Sequence, residues 1–152
     1  MLRVEITKRA DGQGVLRCTR ADGSVAWQKQ ERHAAFFALH DLTHFAVETV
    51  LGYRRGFFGL IESGWEIDDT EGKGARGPLP VEALEVESMV GLLDAERASR
   101  ATWSAQDFHS ARPSASRVLT DEELVNVRSR RDELFHSWAE VEPGGMLTLC
   151  WS

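Results

Sequence analysis

Apolar residues alternate with polar ones at Leu2, Val4 and Ile6, and the run ends at Ala10-Asp11-Gly12-Gln13-Gly14, where glycine can take positive φ. A second run over residues 15–19 ends at Ala21-Asp22-Gly23-Ser24, and a third occupies residues 25–28. The pattern predicts a three-stranded meander with Val4, Ile6, Leu16, Cys18, Val25 and Trp27 facing inward and Arg3, Glu5, Arg17 and Arg20 wet. Near the other end, Glu142-Pro143-Gly144-Gly145 is a turn signal, and the alternation that follows puts Leu147, Leu149 and Trp151 on one side of a final strand. A sheet with one apolar face needs a cover.

The intervening residues supply it as helices. Residues 31–51 are apolar on nearly every side at about 100° per residue, and Gly52 can close that helix in the left-handed conformation. Glycines at 52, 56, 59 and 64 suggest one or two tight helical turns over residues 53–65, and the polar, Gly-rich residues 68–80 read as a loop. Pro80 can occupy the first position of a helix that carries Val81, Leu84, Met89, Leu92 and Leu93 and runs to Arg100. Ser104 can cap a short helix through Phe108 and His109, interrupted at Pro113. Thr120 and Glu123 match a capping box that opens a helix with Leu124, Val127, Leu134, Phe135, Trp138 and Val141 on its apolar face. The fold class expected is α+β: a small antiparallel sheet, the N-terminal meander plus the C-terminal strand, packed against several helices in a single domain over residues 1–152.

The helix at 31–51 carries the chemistry. His33, His40, His44 and Glu48 fall within a stripe roughly 80° wide with Asp41 at its edge, and between Ala34 and Leu51 there is no Lys or Arg. A buried charge is expensive unless paired, hydrogen-bonded or coordinated, so something must satisfy this stripe. Residues four apart sit one turn above each other, and the imidazoles of His40 and His44 can reach one ion. Glu48 lies eight residues from His40, about 12 Å along the axis, too far for all three to hold one ion comfortably. It is expected to orient His44 or to serve a second ion. A third ligand must then come from elsewhere, with Glu62, His109, Glu82 and Glu85 as candidates. His33 suits a cap, and His109 and His136 suit the surface.

Composition narrows the partners. At 152 residues, 42% hydrophobic and 28% charged, the chain has the balance of an ordinary globular domain. A formal net charge of −6 gives no electrostatic support for binding nucleic acid or an anionic membrane surface. Neither a signal-peptide pattern nor a membrane-spanning stretch is seen, which predicts a soluble, cytoplasmic protein. Cys18 and Cys150 lie in strands and are expected as two buried thiols, with a disulfide open only if the strands are neighbours. Arg54, Arg55, Lys73 and Arg76 flank the end of the helix and the loop, where they could bind a small anionic substrate or remain solvated.

The sequence His40-Asp41-Leu42-Thr43-His44 resembles the HExxH helix of zinc metallopeptidases, in which two histidines bind zinc and the acid is the general base. Asp41 is one methylene shorter than that Glu. With Glu48 downstream, the run is also similar to the HDxxH…E zinc motif of a ubiquinone-biosynthesis family, and the dipeptide His40-Asp41 is shared with HD phosphohydrolases. These resemblances are confined to a few residues and imply a metal-capable helix. They point to a divalent-metal protein, zinc before other ions, with His40, His44 and Glu48 toward the metal. In a hydrolase or lyase reaction Asp41 or Glu48 would handle the proton. The alternative is a non-enzymatic binding or assembly protein whose stripe is a structural hydrogen-bond network.

Overall fold

The computed structural model describes residues 1–28, 34–72, 74–112 and 117–152, with backbone alone at 34–37. Its strands are β1 (Leu2–Lys8), β2 (Gly14–Thr19), β3 (Val25–Trp27) and β4 (Met146–Trp151); its helices are α1 (Ala34–Leu51), α2 (Phe57–Glu62), α3 (Val81–Ser99), α4 (Ala105–Ala111) and α5 (Asp121–Glu140). The strands form one antiparallel sheet in the order β3-β2-β1-β4. The chain is therefore α+β, with the C-terminal strand added to the N-terminal meander as its pattern predicts. The beginning of the helix at residues 31–33, together with His33, Lys73 and Pro113, lies outside the described residues.

One face of the sheet makes the core. Val4 pairs with Cys18 and Leu149, and Ile6 with Leu16 and Leu147, so the alternation stacks these residues on the same side. Leu42, Phe45 and Ala46 of α1, Phe58 and Ile61 of α2, and Leu134 and Trp138 of α5 cover it. At Gly14 a Cβ would stand 3.0 Å from the Ala38 methyl, so the missing side chain lets α1 approach the sheet. The opposite side of α1 contributes Val47 to a second cluster with Val86, Val90 and Leu93 of α3 and Leu124 and Val127 of α5. From Ala38 to Glu48 every residue of α1 is thus buried or half-buried, which explains the lack of a charged solvent stripe over that stretch.

The structure corrects several local expectations in the sheet. Strand β3 has the opposite phase: the hairpin closes with Arg20 N–H donating to Ser24 O at 2.9 Å, Thr19 faces Val25, and Cys18 faces Ala26. Ala26 is therefore the buried residue, while Trp27 is 57% exposed beneath the Arg17 guanidinium. Glu5 is buried between Arg3 and Arg17. Arg20 is not wet, because its Nε donates to Ile61 O at 2.6 Å, in the last turn of α2, and its Nη2 to Trp65 O at 2.7 Å, just beyond that helix. Finally, β1 separates β2 from β4, so Cys18 and Cys150 are not on neighbouring strands; both are free, Cys18 buried and Cys150 exposed.

The loop expected at residues 68–80 contains a 3-10 turn, Asp68–Glu71. Pro80 is the cap of α3 rather than its first residue. The closing glycine and the capping box stand as read: Gly52 has φ +73°, and Thr120 and Glu123 exchange hydrogen bonds at 3.0 Å each. His136 is exposed near Glu140, whereas the ring of His109 packs edge-on to Phe108 with its Nε2 buried.

Candidate metal centre

His40 and His44 sit on successive turns of α1 with ring centroids 4.8 Å apart and the rings nearly perpendicular. Residues at i and i+4 share a face of a helix, which brings the two imidazoles together. Helix α3 runs alongside and presents Glu87 and Asp94, seven residues apart and hence on one face of that helix. The acidic residues of α3 divide by task. Glu82 accepts from the backbone N–H groups of Arg54 and Arg55 at 2.6 and 2.8 Å, and Glu85 accepts from the Tyr53 hydroxyl at 2.9 Å and Arg117 N–H at 3.0 Å. Glu96 is clasped by Arg128 and Arg131 of α5 and by the Trp103 N–H. Glu87 and Asp94 are the two directed at the histidines.

His44 is the innermost group, 1% exposed. Its Nε2 lies 3.2 Å from Glu87 Oε1 and its Nδ1 lies 3.5 Å from Glu48 Oε2, but among the described residues neither nitrogen has an aligned hydrogen-bond partner. Burial draws the imidazole toward its neutral form, and the carboxylates of Glu48 and Glu87 outweigh it, pushing the pKa up to about 10. Burial acts to raise Glu87, but His44 beside it holds its carboxyl below the ordinary range. His40 Nδ1 is 2.7 Å from Asp94 Oδ2. That contact fixes the ring and favours the tautomer in which Nε2 carries the lone pair.

One ligand atom from each of His40, His44 and Glu87 can be chosen so that all lie within 4.8 Å of one another. A tetrahedral ion with bonds of about 2.0–2.1 Å separates its ligands by about 3.4 Å. The 3.2 Å between His44 and Glu87 is already close to that spacing. The remaining closure falls to Glu87, whose side chain is 44% exposed and has room to move.

Glu48 and Asp41 stand apart from these three ligand atoms. Both carboxylate oxygens of Glu48 accept from backbone N–H groups at the start of α2: Phe58 at 3.0 and 3.3 Å and Gly59 at 3.2 Å. Its place is therefore behind His44, on the Nδ1 side. Asp41 is buried, and burial pushes its carboxyl up to about 7 against the opposing pull of His40 and His44. Among the described residues its carboxyl has no hydrogen bond.

Of the third ligands considered from sequence, Glu82 and Glu85 hold loops as above, Glu62 pairs with the Met1 amino group at 2.7 Å, and His109 packs with Phe108. None joins the histidine pair, and Glu87 is the acid that does. The signal for it was the shared face of Glu87 and Asp94 on a predicted helix; what the sequence could not supply was which helix lies against α1. Of the cations read as anion-binding, Arg54 lies over the Trp151 ring and lines a cleft of about 380 Å³ together with Glu48, Thr49, Arg130 and Cys150, while Arg76 donates to Gly64 O and lies over Trp65. No protein-family model, curated protein or solved structure matches the chain. No described helix is long and apolar enough to cross a membrane.

Proposed function

We propose that this protein binds one divalent metal ion, zinc before other ions, through His40, His44 and Glu87. The observation that carries the reading is His44: an imidazole 1% exposed, with neither nitrogen aligned to a hydrogen-bond partner among the described residues and a carboxylate oxygen 3.2 Å from Nε2. Buried polar groups are ordinarily satisfied, and an ion between Nε2 and Glu87 would satisfy this one. Two imidazoles and one carboxylate form a donor set that suits zinc, and three protein ligands leave a coordination position for water or substrate. Asp94 would hold His40 and Glu48 would hold His44 from behind, as carboxylates do for metal-bound histidines.

An ion in this position would acidify a bound water and support hydrolysis or a lyase-type proton transfer of a small substrate. Asp41, buried and lying between His40 and His44 on α1, is the group we assign to proton handling. Glu48, both of whose oxygens accept backbone N–H groups, is assigned to orientation.

A second reading has its own observation. With its pKa near 10, an ion-free His44 is cationic between Glu48 and Glu87, and such a triad would tie α1 to α3 without metal. Titrating tag-free protein with zinc in competition with a chromophoric chelator separates the two. The metal reading expects one equivalent bound, weakened about 100-fold or more by Glu87→Gln and unchanged by Glu62→Gln. Absence of binding by the wild-type protein rejects it and leaves the salt-bridged network.

A further inference from the structure

Glu87, Gly91 and Asp94 fall within an arc roughly 60° wide on α3 at about 100° per residue. Gly91 lies on its solvent side, next to exposed Leu84 and Ala95. A Cβ at this position would meet no atom within 4 Å. Glycine weakens a helix interior, yet here it occupies the middle of a 19-residue helix with no neighbour that requires the missing side chain. What a side chain at 91 would enter is the space on the solvent side of the acids that face the histidines.

Exposure across the cluster runs in the same direction. His44 is sealed, His40 is 22% exposed and Glu87 is 44% exposed, so the group opens to solvent between His40 and Glu87 rather than toward the core. We infer that an ion held by His40, His44 and Glu87 keeps one coordination position open on the Gly91 side, and that this position takes a small anionic oxygen ligand, a carboxylate or a phosphate. The inference rests on the metal reading above. The charge follows from the donor set: a divalent ion with two neutral imidazoles and one carboxylate retains a single positive charge. Of the other acids beside the histidines, Asp94 is met by the Arg97 guanidinium, 3.5 Å from its Oδ1, and Glu48 by the N–H groups of Phe58 and Gly59. The absence of a side chain at Gly91 leaves this approach open, with no atom within 4 Å of a Cβ there. A bulky group at 91 would fill the approach while leaving the three ligands in place.

The test uses cobalt(II) in the tag-free protein, because its visible absorption reports changes in coordination. Acetate and inorganic phosphate are titrated separately into the cobalt-loaded wild type, Gly91→Leu and Gly91→Ala. At least one probe is expected to shift the wild-type spectrum saturably, and the probe that does so distinguishes a carboxylate from a phosphate ligand. Gly91→Leu should weaken that titration about tenfold or more by obstructing the approach, and Gly91→Ala should leave it close to wild type. Cobalt affinity should be unchanged in both variants, since each side chain enters open space. A cobalt-loaded wild type that is spectrally silent to both probes, or a Gly91→Leu variant that binds them as the wild type does, overturns the inference while the metal reading stands. Failure of the wild type to take up cobalt overturns the metal reading and this inference together.

Discussion

Gly56→Ala puts the support of the histidine pair under direct strain. A Cβ at Gly56 would lie 2.5 Å from Glu48 Cδ and 2.7 Å from its Oε1, well inside contact distance. An exposed glutamate would swing away at little cost. Glu48 is 1% exposed and pinned by the N–H groups of Phe58 and Gly59, so it can yield only by giving up those bonds. Hydrogen bonds to a charged group contribute about 1.5–3 kcal/mol each, and an acid left buried without them adds a desolvation penalty. Loss or distortion of this pair should destabilise the protein by about 3 kcal/mol, or roughly 6–12 °C in Tm for a chain of this size. Displacing Glu48 also removes the carboxylate 3.5 Å from His44 Nδ1, and loss of such a support weakens metal binding about 10- to 100-fold. Urea unfolding of the ion-free protein and chelator competition measure the two effects separately. An unfolding free energy within about 0.5 kcal/mol of wild type would show that Glu48 moves freely and would refute the reasoning.

Three further outcomes are expected. His44 and Asp41 both hold protons more tightly in the folded protein, with pKa values raised from 6.5 to about 10 and from 3.8 to about 7. The stability each contributes is therefore complete below its ordinary pKa and is lost as pH rises through the folded value. The ion-free protein should lose stability between about pH 5 and pH 9, whereas metal, which needs neutral His44, should bind more tightly over the same range; an ion-free unfolding midpoint that rises with pH contradicts this. Glu96→Ala strands Arg128 and Arg131, whose side chains are 16% and 13% exposed, and should cost about 3–5 kcal/mol while zinc binding stays intact; a loss below about 1 kcal/mol in urea unfolding would count against it. Iodoacetamide should alkylate one thiol of the native protein, Cys150, because Cys18 is buried and burial pushes its thiol up to about 12; modification of Cys18 before unfolding, seen by peptide mass analysis, would contradict the packing.

Residues that act through local periodicity were legible in the sequence. The alternation of Leu2, Val4 and Ile6, the Thr120–Glu123 capping box, Gly52 and the four-residue spacing of His40 and His44 all depend on a few neighbours along the chain. Residues whose role depends on a long-range partner were not. Trp27 and Val25 alternate as well as Ala26 does, and only the hairpin register, set by the turn after Thr19, decides which faces the core. Glu87 escaped for the same reason: four other acids on α3 look alike in sequence, and only packing against α1 separates the one facing His44 from those holding loops or arginines.

The absence of Lys and Arg from α1 then takes on a structural meaning. Between Ala38 and Glu48, where the sheet, α3 and α5 pack around the helix, a long cationic side chain has little access to water, so the ionisable groups there must be answered by neighbours already in place. For the described part of α1, the answers to the histidines and Glu48 come from two sources: the acids of α3, which meet His40 and His44, and the backbone N–H groups opening α2, which meet Glu48. These contacts sit on adjoining sides of one helix and fix its rotation about its own axis. A turn of even one residue, about 100°, would carry His44 away from Glu87 and Glu48 away from α2 at once. Glu48, which stands behind one of the groups that would bind an ion, thus also helps to set the orientation of the central helix. On this account, replacing His44 with an apolar residue of similar size should leave the fold intact, whereas replacing Glu48 should not, because only Glu48 leaves backbone donors stranded when it is removed.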